Sequence, residues 1–441
     1  MPAMRRVLVC ALMLLLQACR GGSGEGGGSP PPDDRPNIVL IVADDLGYAD
    51  LGVQGSSDVL SPRLDALAAE GVRFTSGYVS APDCSPTRAG MLTGRYQQRF
   101  GHERSPPRPS PPGVGLPVEE TTLSDLLRSA GYATGLVGKW HLGVDPEFHP
   151  MNRGFDEFFG FLWGKHSYID WSADISNPIL RGFEPVVEST YLTEAFTREA
   201  VSFIRRHRDG PFFLCLSYNA VHEPLESPPQ EYLDRFSDVA DPARRIFLAM
   251  LAAMDDGVGE VLDELEATGA AGNSLVIFLS DNGGAPAVNA SLNTPLRGEK
   301  AELWEGGIRV PFFLRWKGHV PAGVVYDDPV IQLDIFPTAL VAAGVAPPGD
   351  RLIDGVNLVP HLDGSDTREP HAELFWRYGT PSAVRKGSWK LIRPGGVPPQ
   401  LYDLIDDVGE TTDLASSRPE VVAELDADLA AWKAELIPPR W

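Results

Sequence analysis

Residues 37–43, Asn-Ile-Val-Leu-Ile-Val-Ala, form an unbroken apolar run that is rich in β-branched side chains and ends abruptly at two aspartates. A run without polar alternation is typical of a central parallel strand that is covered by helices on both faces. Residues 274–280, Ser-Leu-Val-Ile-Phe-Leu-Ser, repeat this design far downstream. Because ligands of open α/β sheets bind beyond the carboxyl ends of the strands, we expect the two strand ends to meet at one site. The polar residues at these ends are Asp44, Asp45, Asp281 and Asn282.

The rest of the chain alternates between helical and strand-like patterns. This alternation predicts an α/β fold in which a large, mixed, mostly parallel sheet is sandwiched by helices. A Pro-rich segment, residues 104–117, predicts an irregular surface loop. Helical spacing is found at residues 62–70, 122–130, 193–206 and 246–266, and strand-like runs at residues 134–137 and 212–216.

The pattern changes near residue 366, so we expect residues 36–365 to form the main domain and residues 366–441 a smaller one. The smaller unit contains short strand-like pieces at residues 374–378, 382–385 and 389–393, followed by a helical pattern at residues 419–436. We therefore predict a C-terminal subdomain with a small antiparallel sheet and a helix.

The first residues are typical of a targeting segment. Two arginines precede an apolar run at residues 7–16 that is too short to span a bilayer. The sequence Leu-Gln-Ala-Cys, which ends at Cys19, resembles the bacterial lipobox, so residues 1–19 are predicted to be a lipoprotein signal peptide. An ordinary secretory signal is the alternative. Residues 20–35 are rich in Gly, Ser and Pro and predict a flexible tether. We expect an exported domain, attached to a bacterial membrane through lipidated Cys19 and facing the periplasm or the cell surface.

The composition is acidic, with 60 Asp and Glu against 38 Lys and Arg and a formal charge of −22. The overall field repels nucleic acid, and we expect no nucleic-acid partner. An anionic ligand therefore has to be attracted locally, by a metal ion or by basic side chains clustered in one pocket. The four strand-end residues offer oxygen donors that suit calcium or magnesium. Acidic residues also cap helices and turns, so these residues alone leave both interpretations open.

A dense motif follows at residues 84–95, Cys-Ser-Pro-Thr-Arg-Ala-Gly-Met-Leu-Thr-Gly-Arg. It resembles the signature of the type I sulfatase family of the alkaline phosphatase superfamily, Cys-x-Pro-x-Arg followed closely by Thr-Gly-Arg. In that family a formylglycine-generating enzyme oxidises the cysteine, here Cys84, to 3-oxoalanine (formylglycine). Thr87 stands where the family most often has Ser and keeps the small hydroxyl. The alternative is a strand-to-helix turn with an incidental cysteine. Cys215, in an apolar run, is interpreted as a core residue.

Further blocks match the family in the same order along the chain. Residues 138–143 resemble its Gly-Lys-Trp-His block, and residues 219–225 resemble its later His-x-Pro block. Residues 293–311 resemble the segment that delivers the last active-site lysine, and residues 401–404 resemble a strand of the C-terminal subdomain. The resemblance therefore covers nearly all of the chain after the tether.

The resemblance implies a covalent mechanism at residue 84. One hydroxyl of the hydrated aldehyde would attack the sulfur of a sulfate ester and give a covalent sulfo-enzyme intermediate. The other hydroxyl would then expel sulfate as the aldehyde re-forms. A geminal diol on a metal is a better nucleophile than an ordinary serine at neutral pH. The resemblance implies that one calcium ion is bound by Asp44, Asp45, Asp281, Asn282 and residue Cys84.

The remaining roles are also implied by the resemblance. Arg88 and Lys139 would hold the hydrated residue 84. His141 would deprotonate the second hydroxyl, and His222 with Lys300 would supply the proton or positive charge that the leaving alcohol needs. The cationic side chains and the metal would concentrate positive charge inside an acidic protein.

The sequence therefore predicts a sulfatase, with a sulfated small molecule or saccharide as substrate. The blocks at residues 295–307 look most like arylsulfatases that act on sulfated sugars, such as the N-acetylgalactosamine 4-sulfatase type. One alternative is a phosphonate or phosphate ester hydrolase of the same superfamily. An alternative of another class is an inactive glycan-binding surface lipoprotein. Trp163, Tyr168 and Trp171 are either a sugar-stacking wall or part of the core.

Overall fold

The computed structural model describes residues 34–441. The predicted signal peptide, the lipobox at Cys19 and nearly all of the tether lie outside the described residues. Among residues 34–441, no helix is both long and apolar enough to cross a membrane.

The strands fall into a large sheet, a pair and a small C-terminal sheet. They are β1 (Asn37–Ala43), β2 (Val72–Phe74), β3 (Gly77–Tyr78), β4 (Ala133–Lys139), β5 (Glu157–Phe161), β6 (Leu180–Arg181), β7 (Glu184–Pro185), β8 (Phe212–Ser217), β9 (Ser274–Ser280), β10 (Phe312–Trp316), β11 (Val324–Tyr326), β12 (Val330–Ile331), β13 (Glu373–Arg377), β14 (Ser382–Lys386), β15 (Trp389–Arg393) and β16 (Gln400–Asp403).

The helices cover the sheets and range from single turns to a helix of 26 residues. They are α1 (Pro62–Ala69), α2 (Cys84–Thr93), α3 (Leu123–Ser129), α4 (Leu192–His207), α5 (Gln230–Asp234), α6 (Pro242–Ala267), α7 (Pro286–Asn289), α8 (Glu305–Ile308), α9 (Ile335–Ala342), α10 (Val359–Leu362) and α11 (Pro419–Ala434).

The large sheet has ten strands in the order β11-β2-β10-β9-β1-β8-β4-β5-β6-β7. Its centre, β9-β1-β8-β4-β5, is entirely parallel. Antiparallel pairing begins where β10 joins β9 and where β6 joins β5. The predicted large, mixed, mostly parallel sheet is therefore confirmed.

Strand β1 shows why the apolar run predicted a central strand. Ile38, Leu40 and Val42 belong to the core on one face of the sheet. Val39 and Ile41 belong to the core on the other face, and every one of these side chains is fully buried. Successive side chains of a strand point to opposite faces, so only a strand covered on both sides needs apolar residues at every position.

The predicted C-terminal antiparallel sheet and helix are also confirmed. Strands β13 to β16 pair antiparallel in sequence order, and α11 packs on the sheet. This sheet shares one apolar core with the large sheet. The indole N–H of Trp376 on β13 donates to the carbonyl oxygen of Val79 at 2.7 Å, and the rings of Tyr96 and Trp432 make an edge contact at 5.2 Å. The C-terminal sheet is thus fixed against the segment around α2.

Some elements were not predicted from the sequence. Strands β5 and β10 pair with central strands but were not recognised. Residues 104–117 follow the irregular path that was expected. Cys215 lies buried in β8 opposite Leu40, in agreement with its interpretation as a core residue.

Candidate active site

The carboxyl ends of β1 and β9 lie side by side, because Ala43 pairs with Ser280 in parallel register. The side chains that follow the two strands therefore meet. The backbone N–H of Asp45 donates to Oδ1 of Asp281 at 3.3 Å, and Nδ2 of Asn282 donates to Oδ1 of Asp45 at 2.7 Å. Asp45 has φ 58°, a left-handed conformation that aspartate adopts more readily than most residues. All four predicted strand-end residues are buried together.

Helix α2 brings the candidate nucleophile to these strand ends. Cys84 is its first residue, and the carboxylate of Asp83, which is the N-cap, accepts a hydrogen bond from the Cys84 N–H at 2.9 Å. Sγ of Cys84 lies 3.4 Å from Oδ1 of Asp44 and 3.9 Å from Oδ1 of Asp45. Residue 84 and the strand ends thus share one pocket.

Arg88 lies one turn further along α2, on the same face as Cys84. Its Nε and Nη2 atoms lie 2.9 and 2.8 Å from Oδ2 of Asp281. Its Nη1 atom donates to the hydroxyl of Ser217 at the end of β8. The Cys-x-x-x-Arg spacing therefore places the guanidinium beneath residue 84 and joins the helix to two central strands.

Two lysines reach the pocket from different segments. Lys139, the last residue of β4, places Nζ 2.6 Å from Oδ2 of Asp44. Lys300 places Nζ 2.7 Å from Oδ1 of Asp45 and 3.3 Å from Sγ of Cys84. The backbone N–H of Lys300 donates to the carbonyl oxygen of Gly284 at 3.1 Å, which ties its loop to the end of β9.

The two candidate histidines lie at the edge of the same pocket. His141 has φ 61°, and its ring faces Gly164, where a built Cβ atom would lie 2.6 Å from the imidazole. Nδ1 of His141 is buried and has no hydrogen-bond partner within residues 34–441. Burial, together with the charges of Lys139 and Arg88, holds the pKa of His141 well below its usual value. Nε2 of His222 lies 3.6 Å from Oδ2 of Asp45.

Buried charges of both signs balance in this pocket. Burial alone would raise the pKa of Asp44, but Lys139 and the other nearby cations hold it below its usual range. Burial and the negative charge of Asp44 raise the pKa of Asp281. Burial would lower the pKa of Lys139, but Asp44 raises it. The three carboxylates, Asp44, Asp45 and Asp281, face three cationic side chains, Arg88, Lys139 and Lys300.

The donor set fits a divalent cation. Asp44, Asp45, Cys84 and His222 each offer a ligand atom, and these atoms all lie within 4.8 Å of one another. Oδ1 of Asn282 is buried and has no hydrogen-bond partner in the described part of the chain. A hard cation such as calcium prefers carboxylate and amide oxygens of this kind. A bound divalent ion would also turn a balanced pocket into a positive one that attracts an anion.

Sequence reasoning missed several polar residues that hold the site together. Ser217, at the end of β8, accepts from Arg88 and donates to the carbonyl oxygen of Lys139 at 2.7 Å. Ser85 donates to the carbonyl oxygen of His141 at 2.6 Å. The apolar run that ends at Ser217 was a usable signal, because it marks another strand end at the same edge of the sheet. Nothing in the sequence indicated the partner of Ser85.

Of the aromatic residues near residue 166, Tyr168 belongs to the core. Tyr168 is buried, its hydroxyl donates to the carbonyl oxygen of His222 at 2.8 Å, and its ring stacks on Tyr191. Trp171 is exposed. Tyr168 is thus a core residue that supports the His222 loop.

The chain matches one family of known proteins. The family model described as Sulfatase matches residues 36–345. N-acetylgalactosamine-6-sulfatase of Sus scrofa is 38% identical over 380 residues, which cover 80% of this chain and 71% of that protein. The crystal structure of Ps i-CgsB in complex with k-i-k-neocarrahexaose has a TM-score of 0.88 and 34% identity, and the match covers 92% of this chain and 94% of that chain.

A phosphonate monoester hydrolase of Agrobacterium radiobacter has a TM-score of 0.68 at 22% identity, and the match covers 90% of this chain and 96% of that chain. Identity at this level shows a shared fold and nothing further.

The chain belongs to the sulfatase family. It is an enzyme that hydrolyses sulfate esters, and the family implies a metal ion and a formylglycine residue.

Proposed function

We propose that this protein hydrolyses the sulfate esters of carbohydrates, with residue 84 as a formylglycine nucleophile and one calcium ion as cofactor. The observation that carries the proposal is the position of Cys84. Its Sγ atom lies 3.4 Å from Asp44 and 3.3 Å from the ammonium group of Lys300. A nucleophile formed on this side chain lies within reach of carboxylates and of a cationic side chain.

Calcium would be held by the side chains that line the strand ends. Bound there, it supplies positive charge that draws in a sulfate group and acidifies the hydrated side chain of residue 84. Lys139 keeps Asp44 ionised and thus ready to bind a cation. The proposed ligands are Asp44, Asp45, Asp281, Asn282 and the modified Cys84.

The chemistry would begin with the hydrate of residue 84 held by Arg88 and Lys139. One hydroxyl oxygen attacks the sulfur while its proton passes to the carboxylate of Asp281. The bond between sulfur and the ester oxygen breaks, the ester oxygen leaves with the electrons of that bond, and residue 84 carries the sulfate. The departing alcohol takes a proton from His222 or Lys300, which lie at the open side of the pocket. Lys300 is partly exposed, with 21% of its side chain accessible, as expected of a group that meets substrate.

The second half of the reaction would regenerate the aldehyde. His141 takes the proton of the remaining hydroxyl, the carbon–oxygen double bond forms, and sulfate leaves with the electrons of the broken carbon–oxygen bond. Nδ1 of His141 has no hydrogen-bond partner within residues 34–441, so this nitrogen is free to accept that proton. The lowered pKa means that the imidazole is neutral before the transfer. No water molecule has to attack the hindered sulfur.

A sulfated saccharide is the proposed substrate because of the relatives. One is an N-acetylgalactosamine-6-sulfatase, and another was solved with k-i-k-neocarrahexaose bound. Both match most of this chain. The sugar and the position of its sulfate are set by loops that the family motif does not fix.

Two further parts of the proposal concern maturation and location. A formylglycine-generating enzyme would convert Cys84 before folding, since the finished structure buries this residue. Lipidation of Cys19 would attach the exported domain to a membrane.

Parallel assays with an aryl sulfate and an aryl phosphate diester test the reaction class. We expect a preference for the sulfate; a tenfold or larger preference for the phosphorus substrate, about 1.4 kcal/mol in transition-state stabilisation, would instead support the phosphonate or phosphate ester hydrolase. Turnover by purified protein excludes the inactive glycan-binding lipoprotein. Cys84→Ala should abolish turnover, whereas Cys215→Ser, at the other described free cysteine, should leave it largely intact.

A further inference from the structure

Two segments that are distant in sequence meet at the residue before Cys84. The carboxylate of Asp83 accepts hydrogen bonds from the backbone N–H of Ser105 at 3.0 Å and from its hydroxyl at 2.9 Å. The hydroxyl of Tyr378, just after β13, donates to the same carboxylate at 3.3 Å. The irregular segment at residues 104–117 and the C-terminal sheet are therefore both anchored beside the proposed nucleophile.

This junction holds one cationic side chain in a fixed place. Arg104 is exposed, and its Cζ atom lies 4.7 Å from the ring centroid of Tyr378. Gly379 has φ 66°, and a Cβ atom built there would lie 2.4 Å from Nη2 of Arg104. The backbone oxygen of Arg104 accepts from the indole N–H of Trp441 at 3.1 Å. The guanidinium group thus rests on an aromatic ring beside Gly379.

Within residues 34–441, no carboxylate forms an ion pair with Arg104. The carboxylate of Asp83 is used by Cys84, Ser105 and Tyr378. The neighbouring Glu103 is bound by Arg377, whose Nε atom lies 3.1 Å away. Within residues 34–441, the guanidinium of Arg104 makes no ion pair and donates no hydrogen bond. In a chain with a formal charge of −22, an exposed arginine without an ion pair, next to a residue that is hydrogen-bonded to Asp83, is available for a ligand.

A second arginine in the same segment provides a natural comparison. Arg108 lies 5.1 Å from the ring centroid of Trp163, so it too rests on an aromatic ring. Its Nη2 atom, however, lies 2.5 Å from a carboxylate oxygen of Asp174. Its charge is therefore already matched within the protein.

We propose that Arg104, held on Tyr378, binds a second anionic group of the saccharide whose sulfate ester lies at residue 84. The inference rests on the proposed function and narrows its substrate class to polyanionic saccharides. A guanidinium fork matches either a sulfate or a carboxylate through paired hydrogen bonds. The subsite selects substrates by charge and takes no part in the bond-breaking steps.

Binding measured without turnover tests this subsite. Isothermal titration calorimetry would use the full chain with the Cys84→Ala substitution, loaded with calcium. Three probes are compared. N-acetylgalactosamine 6-sulfate carries one charge, the unsaturated chondroitin 6-sulfate disaccharide adds a carboxylate, and k-i-k-neocarrahexaose adds further sulfates. We expect at least one of the two polyanionic probes to bind about tenfold more tightly than the monosaccharide, the size expected of a hydrogen bond to a charged group.

The matched variants identify the group responsible. All variants carry Cys84→Ala. Arg104→Met should remove the tighter binding of the polyanionic probes without changing the affinity for the monosaccharide. Arg104→Lys should keep part of this tighter binding, and Arg108→Met should keep all of it. The advantage should also shrink as salt is added, because exposed charges are screened. Equal affinity for all three probes, or an advantage that survives Arg104→Met, overturns the subsite alone. Failure of all three probes to bind overturns the proposed function as well.

Discussion

Nζ of Lys139 lies 2.6 Å from Oδ2 of Asp44, and neither side chain has any exposed surface. This pair forms the floor of the candidate site, between the ends of β1 and β4. Two charges removed from water gain little net stability from each other, but either one left alone is strongly unfavourable. The pair is therefore explained by the need for an ionised carboxylate inside the protein.

Lys139→Met should abolish turnover and destabilise the fold, since it leaves Asp44 buried without its closest cation. Loss of one partner of a buried pair costs about 3–5 kcal/mol. Chemical denaturation measures this cost. The matched control is Lys317→Met, which removes an exposed pair with Glu266 and should cost no more than about 1 kcal/mol. Equal effects of the two substitutions would show that Lys139 and Asp44 are not a buried pair in solution.

Removal of the metal should abolish turnover and lower the melting temperature, because the ion binds only where folding brings β1 and β9 together. Calcium at about 100 times its dissociation constant stabilises the fold by about 2.7 kcal/mol. Differential scanning fluorimetry with chelator and then with added calcium checks both effects. Asp45→Asn should largely remove the calcium-dependent shift. A melting temperature that changes neither with chelator nor with added calcium would contradict the proposed ligands.

His371 should make stability depend on pH. Its Nε2 atom lies 2.8 Å from Oδ1 of buried Asp334. Burial would lower the pKa of His371, but the charge of Asp334 raises it above the ordinary value of 6.5. A raised pKa means that the ion pair contributes fully below about pH 6.5 and is lost as the pH rises through the pKa of the folded state.

His371→Gln should therefore lower the melting temperature more at about pH 5.5 than at about pH 9. The comparison is made against wild type at each pH. His319→Gln, at an exposed histidine that stacks on Trp316 and makes no ion pair within residues 34–441, serves as the control. A decrease in melting temperature that is larger at high pH than at low pH would contradict this prediction.

The C-terminal sheet should support Lys300 through a buried charge network. Nζ of Lys390 on β15 lies 2.9 Å from Glu305 and 2.8 Å from Glu410, and none of these side chains is exposed. Glu305 begins α8, and the N–H of Gly306 closes the Lys300 loop onto the carbonyl oxygen of Arg297 at 2.6 Å.

Lys390→Met should thus destabilise the fold by about 3–5 kcal/mol. It should also slow the hydrolysis of alkyl sulfates more than that of 4-nitrophenyl sulfate, because an alkyl alcohol is the poorer leaving group and depends more on the positive charge of Lys300. Denaturation and leaving-group kinetics measure the two effects. Lys386→Met removes a partly exposed lysine that pairs with Glu373, Glu424 and Asp428, so it should destabilise the fold less than Lys390→Met and leave the leaving-group dependence unchanged. Adding Glu410→Gln to Lys390→Met should recover part of the stability, and no recovery would argue against the network.

The parts of the fold that the sequence predicted are those with local signatures. The apolar run of β1 predicted its position because a strand buried on both faces needs apolar residues throughout. The motif that begins at Cys84 placed Arg88 one helical turn away. The hydrogen bonds from Tyr378 to Asp83 and from Lys390 to Glu305 could not be predicted, since each joins the C-terminal subdomain to a segment far earlier in the chain. His222 was expected only as an acid, yet its ring also lies within reach of a metal ion.

The mass of the tryptic peptide that ends at Arg88 tests the central claim most directly. Cleavage after Arg73 and Arg88 isolates residue 84 on one short peptide. In active protein this peptide should be lighter than the encoded sequence, as expected when a thiol-bearing side chain becomes an aldehyde, and activity should rise with the modified fraction. Full activity in protein whose peptide keeps the encoded mass would contradict the account.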